Sequence, residues 1–147
     1  MNVSPANVRL SVFITNRELM DLAFNIGSDG STFGGYPLAC VAGIAALDVL
    51  KKESLPERAA EQGKKLMLKL RDIAARSPHI KEIRGKGLFI GIEVKKGNAM
   101  EFCRQLLAQG LLANDSHGHT IRISPPLTIT DEEIDYMVSR LDRVLVG

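Results

Sequence analysis

The run Gly27-Ser28-Asp29-Gly30-Ser31-Thr32-Phe33-Gly34-Gly35-Tyr36-Pro37 leads straight into an alanine-rich apolar stretch. These residue types suit an anion. Glycine lets the backbone approach closely and adopt positive φ. Ser31 and Thr32 add hydroxyl donors. A helix started by Pro37 would add free N–H groups and a favourable dipole end. The spacing fits neither a P-loop nor a dinucleotide fingerprint. By spacing alone, an ordinary helix-entry loop is the commoner origin of such a cluster.

Arg122 is the second candidate. In Thr120-Ile121-Arg122-Ile123-Ser124 the two isoleucines fall on one face of a strand and Arg122 on the other. A guanidinium in a short apolar strand must meet an anion or reach water, and its fork suits a carboxylate. A snorkelling surface arginine or a structural ion pair is the plainer reading of the residues alone.

Other polar clusters read as structural. Gly85-Lys86-Gly87 lies in a strand-and-turn region with no helix start after it, so a bend in the sheet is expected and Lys86 is expected to be exposed. His117 and His119 flank Gly118 without Cys, Asp or Glu at ligand spacing, which argues against a metal site. His79 follows Pro78 at a helix exit and is expected to be solvated. Asp131, Glu132 and Glu133 read as first-turn acids at a helix N-terminus.

The elements that would position these residues follow from periodicity. Arg9 to Ile14 reads as a short strand and Asn16 to Ala23 as a helical turn. Pro37 to Lys52 is helical but apolar nearly all round, so it needs cover from a larger body or a second chain. Ser54 to Glu57 resembles a capping box opening an amphipathic helix that runs to Arg76. Leu88 to Val94 alternates cleanly as a strand, with Ile80 to Arg84 as an earlier part of it, bent at Gly85 or Gly87. A helix carries Ala99, Phe102, Cys103, Leu106 and Leu107 and ends at Gly110. Leu111 to Ala113 is read as a strand, Asn114 to Gly118 as a turn and Thr120 to Ser124 as a strand stopped by Pro125-Pro126. Thr130 to Glu133 is a second capping box, opening a helix with Ile134, Met137, Val138, Leu141, Val144 and Leu145 on one stripe. The second half thus reads β-α-β-β-α, an α+β unit with a small sheet and helices on one face.

The 147 residues suffice for a domain with a real core. A net charge of +2, with no basic block among aromatics, points away from nucleic acid. Met1 to Leu10 has no signal-peptide pattern, and no apolar run reaches membrane-spanning length. Cys40 and Cys103 sit in apolar helical patterns and read as reduced core residues. A soluble, cytoplasmic protein is expected.

Three blocks in order sharpen the functional reading: Gly30 to Ala39; Arg84-Gly85-Lys86-Gly87-Leu88-Phe89-Ile90-Gly91-Ile92-Glu93; and His117-Gly118-His119-Thr120-Ile121-Arg122-Ile123-Ser124-Pro125-Pro126-Leu127. Together they resemble the class III, pyridoxal-phosphate-dependent aminotransferases, with the ornithine type nearest in pattern and the acetylornithine and 4-aminobutyrate types behind it. The resemblance runs from about Ser11 to the C-terminus. It implies the small C-terminal α+β domain of a fold-type I transferase over 53–147, with a mostly antiparallel sheet. Residues 1–52 would be a remnant of the large domain, with the glycine-rich loop and a long apolar linking helix.

The resemblance also implies roles. Thr32, helped by Ser31, would bind the cofactor phosphate of a neighbouring subunit. Arg122 would meet a carboxylate of the amino-acid or 2-oxo-acid substrate, or an active-site Glu when no diacid is bound. Asp29 stands where the family usually has His, and Tyr36 where it often has Asn; Asp29 adds negative charge near the phosphate loop. The family's Schiff-base lysine, its pyridinium-binding Asp and its ring-stacking aromatic lie upstream of the matched region. No lysine precedes Lys51 here, so this chain carries no catalytic residue of that set.

Three functions fit: the C-terminal part of an ornithine-type aminotransferase, active only with a lysine-bearing N-terminal partner; a non-catalytic truncated paralogue acting in interaction or dimerisation; or, least well supported, a small anion- or amino-acid-binding domain. The apolar 37–52 helix favours a partner or self-association in each case.

Overall fold

A computed structural model describes residues 2–3, 10–12, 14–24, 27 and 30–147. The chain divides into two compact units, 1–54 and 55–147.

In the first unit, β1 (Asn2–Val3) pairs antiparallel with β2 (Leu10–Ser11). The expected strand from Arg9 to Ile14 is therefore shorter; Arg9 and Phe13 lie outside the described residues. α1 (Arg17–Ala23) starts where Asn16 Oδ1 accepts the Leu19 N–H, as an N-cap should. α2 spans Pro37–Lys52, with Pro at its first position. Gly43 is the one buried residue among those described in this unit. Leu38, Val41 and Ile44 are each more than 60% exposed, so this chain leaves the all-round apolar helix uncovered.

The second unit is a two-layer α+β sandwich. It contains α3 (Leu55–Arg76), β3 (Ile80–Lys86), β4 (Phe89–Val94), α4 (Ala99–Ala108), β5 (Asn114–Ser116), β6 (Thr120–Ile123) and α5 (Asp131–Leu145). The sheet order is β3-β4-β6-β5, antiparallel throughout. The expected alternation holds in β4: Ile90, Ile92 and Val94 are buried and Phe89 is exposed. Ile121 and Ile123 of β6 join them on the inner face, which is covered by Leu66, Leu70 and Ile73 of α3, Ala99, Cys103 and Leu106 of α4, and Ile134, Met137, Leu141 and Leu145 of α5. Each such Leu or Ile, fully buried, contributes about 1.5–3 kcal/mol relative to exposure.

Three local expectations are corrected. Ile80 to Arg84 is not an earlier part of the β4 strand. It belongs to a separate strand that pairs back on β4 through a tight turn, with Lys86 opposite Phe89 and Gly87 at φ +56°. Leu111 to Ala113 is not a strand. The Leu111 N–H is spent on the Leu106 carbonyl and the Gly110 N–H on Leu107, which together with Gly110 at φ +79° form a Schellman ending for α4. The pairing begins instead at Asn114, inside the segment expected to be a turn. Ser54 does not cap α3. It sits at φ +47° with its N–H bonded to the Lys51 carbonyl, a conformation that closes α2, whereas an N-cap needs extended backbone. The second capping box is present as expected: Thr130 Oγ1 accepts the Glu133 N–H and Glu133 Oε2 accepts the Thr130 N–H.

Three ion pairs link α3 to α5: Lys65–Asp131, Lys69–Asp135 and Arg76–Asp142. Each acid follows its base by 66 residues, so the two helices run parallel. The other fixed point of α3 is Gly63. A Cβ there would lie 2.3 Å from the Gly87 carbonyl oxygen, so the helix backbone rests on the β3–β4 turn. Gly63→Ala must separate backbone from backbone. It is expected to lower stability by about 1–3 kcal/mol, read as a fall in the urea midpoint at unchanged slope. Ala60→Gly, one residue's turn away on the exposed side, should cost less than half as much; equal losses would show that the contact is unimportant.

Candidate functional site

The glycine-rich loop is a sequence of tight turns. The Gly34 N–H bonds to the Ser31 carbonyl at 3.2 Å and the Tyr36 N–H to Phe33 at 3.2 Å. A Cβ at Gly34 would come within 3.2 Å of Ser31 Cβ, a tight fit, and Gly35 holds φ +71°, which favours glycine for this path. Ser31 and Thr32 are exposed. Tyr36, the α2 N-cap, makes no side-chain cap bond. Hydroxyls and backbone N–H groups at 31–32, beside an uncapped helix start, form a donor set suited to a phosphate dianion. Asp29, the acid that would oppose this charge, lies outside the described residues.

Arg122 belongs to the other unit. On β6 it lies directly across from Gly91 of β4 and Asn114 of β5. Directly paired residues share a face, so Arg122 stands on the outer, polar face while Ile121 and Ile123 enter the core. Arg84 of β3 also pairs with Gly91. The Arg122 side chain is exposed and makes no hydrogen bond or ion pair among the described residues. It borders a cleft of about 400 Å³, together with Asn114, Pro126, Glu133 and Tyr136.

The loop past β6 is fixed from α3. Arg58 Nη2 donates to the carbonyls of Thr128 and Ile129 at 2.9 and 3.1 Å, and the buried Gln62 amide donates to Ile129 at 3.5 Å. The Pro125-Pro126 wall of the cleft is thus anchored beyond its own strand.

Glu93 is a feature that the sequence reading did not single out. Its carboxylate is 13% exposed and accepts from Lys81 Nζ and Arg84 Nη1, each at 2.5 Å. These two bonds hold Glu93 down to a pKa of about 2, and the pairing raises Lys81. The alternation of β4 already placed Glu93 on the polar face; its partners become visible only once β3 is a separate strand.

The remaining candidates are structural. Lys86 is exposed beside the turn. His79 is exposed and packs its ring against Phe102, with centroids 5.3 Å apart. His119 Nδ1 lies 2.7 Å from the His117 carbonyl oxygen, and His117 holds φ +57° in the turn. No group of three or more His, Cys, Asp or Glu among the described residues could hold a metal ion. Cys103 is buried, which pushes its thiol up; Cys40 is half-buried, and both are free. No helix among the described residues is long and apolar enough to cross a membrane.

The family model for aminotransferase class-III matches residues 7–145, reaching slightly further back than the expected start near Ser11. The chain is 48% identical over 138 residues to an ornithine aminotransferase of Geobacillus sp. (strain WCH70), covering 94% of this chain and 34% of that protein. In structure it resembles the ornithine delta-aminotransferase of Plasmodium falciparum, with a TM-score of 0.82 and 34% identity over 90% of this chain and 35% of the other. It also resembles the acetylornithine aminotransferase of Elizabethkingia anophelis, with a TM-score of 0.80 and 36% identity over 90% of this chain and 36% of the other. The chain thus spans about a third of the length of the relatives it matches.

The Glu93 cluster sets a pH dependence. A carboxylate whose folded pKa is depressed contributes stability above its ordinary range and loses it as pH falls through the folded value. The contribution should be complete above about pH 5 and vanish toward pH 2. Lys81, raised by the same pairing, works in the other direction, contributing below its ordinary value and losing that contribution in strong alkali. Urea midpoints for wild type and Glu93→Gln should therefore differ at pH 7 and converge near pH 2; a constant difference would mean the pairing adds nothing.

Proposed function

The chain belongs to the class III aminotransferases, and on that premise we propose that it is the C-terminal part of an ornithine-type enzyme, moving an amino group from ornithine or a related amine to a 2-oxo acid. Pyridoxal phosphate, when bound, supplies the electron sink for that chemistry. The chain's own share is binding and orientation. Ser31 and Thr32 donate to the cofactor phosphate from the turn before α2. Arg122 grips a substrate carboxylate with its guanidinium fork.

The observation that carries this reading is the unpaired Arg122 on β6, next to a glycine and at the edge of a cleft. Arg71, Arg104 and Arg143 also lack an acid but stand on helices, whereas Arg122 stands on a strand at a cleft, and its strand neighbour Arg84 has found one. The Schiff-base lysine must come from polypeptide outside these 147 residues, since none precedes Lys51. In this reading residues 1–52 belong with the large domain and 53–147 form the small one.

A second reading, a non-catalytic interaction protein, draws on the exposed Leu38, Val41 and Ile44 of α2. One experiment separates the two. The chain is mixed with an N-terminal, lysine-bearing fragment of an ornithine aminotransferase, then given pyridoxal phosphate, ornithine and 2-oxoglutarate. The enzyme reading expects the visible absorbance of lysine-bound cofactor, and turnover, in the mixture and in neither part alone. Complex formation without either signal would favour the interaction protein.

Within an active mixture, Arg122→Ala should cut kcat/KM for the oxo acid about 10- to 100-fold, the loss of a charged hydrogen-bond pair, while the chain stays folded. Thr32→Ala should weaken cofactor retention instead, measured by dialysis. Unfolding of Arg122→Ala would show the arginine to be structural.

A further inference from the structure

A free guanidinium on a sheet face is exposed to capture by the protein's own acids. The acids around Arg122 are each held elsewhere. Glu133, on the same cleft, accepts the Thr130 N–H in the α5 capping box. Asp115 sits on β5 next to Asn114, points to the other face and accepts the Gly118 N–H. Glu82 belongs to β3, two strands from β6, beside Arg84 at 3.6 Å.

Glu93 is different. It pairs with Thr120 in register, on the outer face and one step diagonal from Arg122. Diagonal neighbours on adjacent strands stand roughly 7–8 Å apart at the backbone, within reach of a glutamate and an arginine. Gly91 faces Arg122 and leaves only the Thr120 methyl between them, 3.1 Å from where a Gly91 Cβ would stand, low enough for two long side chains to meet above it. Yet Glu93 turns the other way, to Lys81 and Arg84 on β3.

We propose that Lys81 and Arg84 are positioning residues for Arg122: by holding Glu93 toward β3 they keep the sheet's own carboxylate off the Arg122 guanidinium and leave it open to a carboxylate from outside. The inference rests on the reading of Arg122 as a carboxylate receptor and deepens it. Two cations on β3 outcompete one on β6 for a single acid on the strand between them. With both removed, Arg122 is the cation across the strands from Glu93, with exposed Lys95 two residues along the chain, just past β4, and the receptor closes on itself.

The test follows the Glu93 side-chain carboxyl and the Arg122 Nε–H by NMR in the 147-residue chain. In the double variant Lys81→Met with Arg84→Met, Glu93 should still titrate below the ordinary carboxylate range, because Arg122 has taken it. Adding Arg122→Met should then raise the Glu93 midpoint by about 1 pH unit or more. If the third substitution leaves that midpoint where it was, Glu93 never reaches Arg122 and the proposal is overturned. Should the double variant lose its dispersed spectrum, Lys81→Gln with Arg84→Gln is read by the same criterion.

A second arm titrates glutarate, a plain dicarboxylate, and reads the Arg122 Nε–H. Wild type should respond. The double variant should need about 3-fold more glutarate or beyond, and Glu93→Gln in that background should restore the response. A merely structural role for Lys81 and Arg84 would not be rescued by removing Glu93. If wild type itself ignores glutarate, the receptor reading fails, while the Glu93 midpoints still decide whether the restraint exists.

Discussion

The approach of α3 to the β3–β4 turn, backbone against backbone at Gly63 and Gly87, is the constraint from which the rest of the second unit hangs. A helix that close to a hairpin cannot slide, so its length decides what else is fixed. Toward its N-terminal end Arg58 and Gln62 hold the 128–129 carbonyls. Further along, the bases at 65, 69 and 76 meet the acids of α5 at a constant offset. The α5 end of the segment joining β6 to α5 is therefore tied to α3, and Arg122 lies just before that segment. The exposed ion pairs add little energy singly. Their constant spacing carries register, while the leucines and isoleucines beneath carry most of the stability.

The two faces of the sheet divide the labour. The inner face takes the β-branched residues and three helices. The outer face holds Arg84, Gly91, Glu93, Arg122 and Asn114, which are of little use to a core. Period-two alternation makes such a face available at no cost to packing on the other side. Of its charges, Glu93, Lys81 and Arg84 satisfy one another and Arg122 does not. A lone cation beside a neutralised cluster has no acid of its own sheet to give up before it meets another carboxylate.

Much of this was legible in the sequence because the signals were local. The alternation of β4, the stripe of α5, the Thr130 capping box and the outward placement of Arg122 each depend on a few adjacent residues. The misreadings arose where identical residues serve two local structures. Gly85 and Gly87 suit a bend in one strand as well as a turn between two, and only pairing partners far along the chain distinguish them. Ser54 with Glu57 has the composition of a capping box, but α2 ends there and takes Ser54 for its own closure. Leu111 to Ala113 has strand composition, but the end of α4 claims its first N–H. The Glu93 cluster is non-local in the same sense: its three members come from two strands whose pairing had to be known first.

The first unit shows the opposite balance of sequence and structure. Its loop chemistry is readable residue by residue, down to the glycine favoured at 35. Its packing is not, because α2 is apolar on more sides than 54 residues can cover. Apolar side chains more than 60% exposed along about two turns would make an isolated unit adhesive. That is a fault in a free-standing domain and a requirement in a segment that completes a larger fold. A relative three times as long has the residues to supply such a context. The exposed face of α2 is what the first unit would offer it, and the turns that lead into α2 fix where that face begins.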